Sequence, residues 1–171
     1  MQEETARLQA MLHKIDAGEM TIVPKWVCDT TEADLLAGGV GLIDDYRTDA
    51  QTRQGWCFLS EGLILATVEF SCLLPAFNFE YRQELAEEEF INHQALKIME
   101  EWNSGVKLTA PFCALTVDQD EVQVFVGNHR TNTALRVGAA TIPLLIPKAQ
   151  LLGFKQLLGE FPFREQPAIV F

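Results

Sequence analysis

The chain has 171 residues, 48% of them hydrophobic and 22% charged, with a formal net charge of −11. That length suits one domain with a sizeable core, and no apolar run approaches the roughly 20 residues that span a bilayer; Gly62–Leu74 comes closest and is broken by Glu69. The acidic balance repels nucleic-acid phosphates and anionic lipid at long range, which disfavours sequence-scanning DNA binding and membrane partners but still allows a local cationic pocket.

In chain order, Ala6, Leu8, Met11, Leu12 and Ile15 recur at helical spacing and predict an amphipathic helix over Glu3–Ile15, ended by Gly18. Thr21–Val27 reads as a short extended segment, and Pro24, with no amide to give a ladder, puts it at a sheet edge. A capped short helix is expected from Thr30 to Ala37, closed by Gly38 and Gly39, with a loop over Asp44–Asp49. Trp56–Leu59 and Leu63–Phe70 flank Ser60-Glu61-Gly62 and predict an antiparallel hairpin. After the polar-aromatic segment Asn78–Arg82, residues Leu85, Phe90, Ile91, Leu96, Ile98, Met99 and Trp102 mark one face of a helix over Gln83–Trp102, stopped by Gly105. Pro111–Val117 and Val122–Val126 predict a second hairpin about the acidic turn Asp118–Glu121. Asn128–Val137 is expected as a short helix ending at Gly138, and Ile142–Pro147 as a strand cut off by proline. Ala149–Leu158 reads as a helix and Phe161–Pro167 as an irregular tail.

The opening Met1-Gln2-Glu3-Glu4 is followed by no apolar signal core, so a cytoplasmic location is expected. The cysteines, Cys28, Cys57, Cys72 and Cys113, form no C-x-x-C pair. Cys57, Cys72 and Cys113 sit among apolar neighbours and read as small buried hydrophobes of a reducing compartment. His13 and His93 stand on expected helices with no second ligand at metal spacing, and Glu84, Glu87, Glu88 and Glu89 complement a helix dipole.

The densest chemistry lies where Val122–Val126 runs into the next helix at Gly127. A helix entered this abruptly points its first amides, and a partial positive charge, at whatever lies in front. Gly127 permits a backbone setting that a side chain forbids, and Asn128 or Thr131 can cap the turn. Arg130 can grip phosphate oxygens with a bidentate fork, and His129 can donate to an oxygen or move a proton near neutral pH. Glu69 at a strand end and Glu80 beside Tyr81 interrupt apolar stretches and are the candidate catalytic carboxylates; an outward strand position is the other reading of Glu69. Arg82 is a helix-start surface residue or a second phosphate contact, and Arg136 reads as a solvated surface residue.

From about Leu85 to Ile146 the order is helix, Gly105, Pro111-Phe112-Cys113-Ala114-Leu115-Thr116-Val117, acidic turn, Val122-Gln123-Val124-Phe125-Val126, Gly127-Asn128-His129-Arg130, Ala134-Leu135-Arg136, Gly138-Ala139, Ile142-Pro143-Leu144-Leu145-Ile146. This order resembles the ParB/sulfiredoxin superfamily, in which a helix and a hairpin lead into a G-x-H-R or G-x-R-R helix start, a small-residue helix and an I-P-V strand. The resemblance implies nucleotide phosphates, of ATP or CTP with magnesium, held by Gly127, Asn128, His129, Arg130 and Thr131, and chemistry at a phosphoryl group. Asn128 stands where sulfiredoxins carry the reactive cysteine of G-C-H-R, so peroxiredoxin repair through a thiol is not expected. Partition-type members look like G-E-R-R at this point and need a basic DNA-binding helix-turn-helix downstream, for which this acidic chain leaves too little sequence. Other members are kinases of free amino acids, nucleases, and plasmid proteins that inhibit conjugation and carry ATPase and DNase activity. A short acidic chain looks most like the last kind.

The expectation is an α+β fold, a small mixed sheet with flanking helices. A ParB/sulfiredoxin-like core is expected over 76–160, with an N-terminal helix and hairpin elaboration at 1–75 and a tail at 161–171, all in one compact domain. The expected function is Mg2+-dependent ATPase or DNase activity. His129, Arg130, Glu69 and Glu80 would be catalytic, and Gly127, Asn128, His129, Arg130, Thr131 and Arg82 would bind nucleotide. DNA as a substrate and a secretion or conjugation component as a partner go with that reading. The alternative is a non-enzymatic acidic inhibitor or adaptor for a basic protein.

Overall fold

The computed structural model describes residues 2–27, 62–86 and 93–166, and a five-stranded mixed sheet runs through them. The elements are α1 (Gln2–Asp16), β1 (Trp26–Val27), β2 (Leu63–Glu69), α2 (Phe70–Leu73), α3 (Phe79–Ala86), α4 (His93–Asn103), β3 (Leu108–Thr109), β4 (Phe112–Leu115), β5 (Val122–Val126), α5 (Asn128–Arg136), β6 (Thr141–Pro147), α6 (Leu151–Leu158) and β7 (Phe163–Glu165), with 3-10 turns at Leu74–Ala76 and Lys148–Gln150. The sheet order is β5-β4-β6-β2-β7, and β1 pairs in parallel with β3 apart from it. β2 is antiparallel to β6 and β7, and β4 to β5; the β4–β6 seam, Phe112 opposite Leu145, is parallel. The fold is α+β, with helices flanking the sheet.

β2 is bonded along both edges. Ile64, Ala66 and Val68 stand opposite Ile146, Leu144 and Ile142 of β6. On the other side Gln166 N–H donates to Leu63 O and Thr67 N–H to Pro162 O, both at 2.9 Å. The same alternation lets two prolines sit in the central strand. Pro143 and Pro147 share the phase of Leu145, whose amide donates to Pro111 O at 2.8 Å on the β4 side. The amides that the prolines lack would therefore face the side where β4 meets β6 only at Leu145, so no ladder bond is forfeited.

Ile64, Ala66, Val68, Leu144, Ile146, Val122 and Val124 join Leu8, Met99, Trp102 and Phe154 in the main core, while Leu63, Leu65, Phe112 and Leu145 form a second cluster with Ala110. α4 buries Ala95, Leu96, Ile98, Met99 and Trp102, the spacing of one helical face. Trp102 packs edge-on to Trp26 with ring centroids 5.2 Å apart and donates its indole N–H to Lys25 O at 3.0 Å. A side chain that large and that buried is worth about 3–5 kcal/mol against alanine.

Gly18, Gly105 and Gly138 take positive φ where the sequence marks helix ends. Elsewhere the structure departs from expectation. Phe163–Glu165 is the edge strand β7, not irregular tail; its residues are all exposed, so no apolar alternation announces it, and backbone pairing to Ile64–Ala66 sets its place. Helix already begins at Phe79, within the polar-aromatic segment, and α3 and α4 lie on either side of 87–92, which are outside the described residues. Cys113 is fully buried, as expected, but Cys72 is exposed. The expected helix at Thr30–Ala37, the Asp44–Asp49 loop, the Trp56–Leu59 strand, Cys28 and Cys57 also lie outside the described residues. Strands from 1–75, 76–160 and 161–171 share one sheet. Among the described residues no helix is long and apolar enough to cross a membrane.

Candidate functional site

β5 ends at Val126 and α5 starts at Asn128, with Gly127 between them at φ 90°, ψ 26°. That left-handed setting favours glycine, and sterics demand it too. A Cβ on Gly127 would lie 2.9 Å from Pro111 Cβ, 3.0 Å from Pro111 Cα and 3.0 Å from Arg130 Nη2. The close approach that the glycine allows is thus to the chain's own Pro111 and Arg130. No side chain caps the turn. Thr131, expected as a cap, instead donates its hydroxyl to Gly127 O at 2.9 Å, and Thr133 donates to His129 O at 2.6 Å, so both hydroxyls bond back along the helix. Thr131 N–H also donates to Gly127 O, at 2.9 Å. The amides ahead of it have no carbonyl within the helix and give this end its partial positive charge.

Arg130 folds back over this turn. Its Nε and Nη2 are buried with no hydrogen-bond partner among the described residues, and no ion pair of those residues includes it. Burial lowers its pKa, because the charged form loses hydration. Nε–H and Nη2–H form the side-on edge of a guanidinium, the pair that meets two oxygens of a phosphate or carboxylate. Leaving buried donors unmet costs on the order of 1–3 kcal/mol each. Asn128 Oδ1 is also buried without a partner.

The other expected site residues are not gathered about that edge. Successive helical residues diverge by about 100°, and exposed His129 lines a small hollow with Leu12, Ala95, Met99, Asn132, Thr133 and Arg136, a lining that includes neither Arg130 nor Pro111. Glu69 is exposed at the end of β2, opposite Thr141 beyond the C-terminal end of α5, so roughly 13 Å of helix separates its level from Gly127. Glu80 and Arg82 are exposed on α3, where Arg82 Nη2 lies 3.7 Å from Glu121 Oε2 and the guanidinium stands 5.9 Å from the centre of the Phe79 ring. Between them Tyr81 is buried and donates its hydroxyl to Asn132 Oδ1, fastening α3 to α5. Burial pushes the Tyr81 phenol up and keeps it a donor. Arg136 forks onto both oxygens of Asp16 at 2.8 Å and ties α5 to α1.

Sequence reasoning misses Pro111 and Tyr81. Pro111 reaches Gly127 only through the β4–β5 pairing and so leaves no local trace, whereas an aromatic set between Glu80 and Arg82 is a visible signal of a half-turn that faces inward. Among the described residues no group of three or more His, Cys, Asp or Glu could hold a metal ion. Magnesium carried on nucleotide phosphates needs one or two carboxylates and no such cluster. No family model matches this sequence, and no match is found among curated proteins or solved structures.

Proposed function

We propose that this chain binds a phosphate-bearing ligand, foremost a nucleotide, at the Gly127–Arg130 turn. The observation that carries the reading is the Nε–Nη2 edge of Arg130, buried beside a helix start and matched to no acceptor among the described residues. A phosphate there would take two charge-assisted bonds from Arg130, and a half-turn of the Asn128 amide would offer Nδ2–H in place of Oδ1. The early amides of α5 would add to the same charge.

The resemblance to the ParB/sulfiredoxin superfamily makes ATP, CTP and DNA the ligands to try, hydrolysis at phosphorus the activity, and inhibition of conjugative transfer the setting. Magnesium on the phosphates would supply charge neutralisation for phosphoryl transfer. Of the two carboxylates, Glu80 is better placed to meet it, because Tyr81 fastens its helix to α5, whereas Glu69 stands at the other end of that helix. His129 is left outside the clamp.

Thermal unfolding with ATP, CTP and inorganic phosphate, with and without Mg2+, tests this. A ligand at a hundred times its Kd stabilises by about 2.7 kcal/mol, and Arg130→Ala should lose that gain. If none of them moves the wild-type transition, the reading fails.

The separation of His129 and Glu69 from Arg130 favours a second reading, a non-enzymatic adaptor whose acidic surface takes a basic partner. Partner affinity would then fall with salt and be indifferent to Arg130→Ala.

A further inference from the structure

We infer that Arg130 is a stowed gate, its fork edge packed in at the Gly127 turn, and that an oxyanion is gripped only once the side chain swings out of that packing. The inference rests on the Gly127–Arg130 turn being an anion site. Three observations lead to it. Nε and Nη2 are both shielded from solvent, so no anion reaches the edge as it stands. Nη2 lies 3.0 Å from where a Cβ of residue 127 would stand, and Pro111 Cβ and Cα lie 2.9 and 3.0 Å from the same point, so the guanidinium tip takes up space that only a glycine leaves open. Among the described residues no carboxylate is ion-paired with the side chain, so none of them adds a charge that opposes its departure.

An inward side chain with two unmet donors has something to gain by leaving, since outside it meets water or an oxyanion. What it gives up is its packing at the Gly127 turn. A ligand that binds only the outward arrangement draws the side chain toward it by its differential affinity.

The test is nuclear magnetic resonance of the arginine Nε–H groups in the 15N-labelled full chain, titrated with inorganic phosphate and then ATP. The Arg130 signal is identified by its loss in Arg130→Lys. Without phosphate, the Arg130 Nε–H should exchange with solvent much more slowly than those of exposed Arg7 and Arg82. With phosphate, a second Arg130 signal should appear downfield of the first and grow at its expense, while the backbone amides of 127–131 shift. If those amides shift but the Arg130 Nε–H exchanges as fast as that of Arg7, the gate is overturned and the anion site stands. If neither amides nor side chain respond to phosphate or ATP, the site reading and the gate fall together.

Discussion

Two arginines ride on one short helix and are treated in opposite ways. Arg136 sets its guanidinium on both oxygens of Asp16 at the surface, where the two side chains keep 34% and 58% of their exposure. Arg130 turns the equivalent donors inward, where none of the described residues accepts them. An exposed pair is worth about 0–1 kcal/mol, so Arg136 positions α1 without adding much stability. Arg130 costs stability where it stands, and an apolar side chain would fill the same space without that cost. A charge held against the interest of folding marks function more sharply than a charge with a partner.

The contrast breaks first on binding. Arg130→Ala should weaken nucleotide by about a hundredfold, on the order of 3 kcal/mol, while Arg136→Ala leaves affinity within about twofold. Titration calorimetry on both variants decides, and equal losses would erase the distinction. Gly127→Ala comes next, because a left-handed alanine meets Pro111 and Arg130 at 2.9–3.0 Å. It should cost about 3 kcal/mol by urea unfolding.

A smaller effect of opposite sign sharpens the comparison further. Arg130→Met should stabilise the protein by about 1 kcal/mol in urea while losing ligand, whereas Arg136→Met should not stabilise it. The smallest effect is on pH. The hydrogen bond from Arg136 holds the Asp16 carboxyl below its usual range. Its contribution is therefore present above the unfolded carboxylate pKa and fades as pH falls through the folded value. Asp16→Asn should flatten that acid limb of the stability curve and lower the plateau above pH 6 by the same small amount; Arg130, charged throughout, should add no slope there.

Much of this was legible from local pattern. Alternating Val122, Val124 and Val126, the acidic turn before them and Gly127 after them encode a hairpin running into a helix, and that is what forms. Gly18, Gly105 and Gly138 punctuate helices because positive φ is a local demand. β7 was invisible because its side chains are exposed and its place depends on Leu63–Thr67, far away in sequence. The site was half legible for a similar reason. Sequence put His129 and Arg130 side by side, but helical geometry turns neighbours apart, and Pro111 reaches Gly127 only once β4 and β5 pair.

Pro143 and Pro147 bracket the one rung that joins β4 to β6, so the sheet behaves as two leaves on a narrow spine, β6-β2-β7 and β4-β5. Val126 pairs with Phe112, and Phe112 with Leu145, which sets Gly127 at the spine itself. The Gly127 turn is thereby held through two successive strand pairings to the middle strand β6, so a substitution at the Phe112–Leu145 rung is felt at the turn.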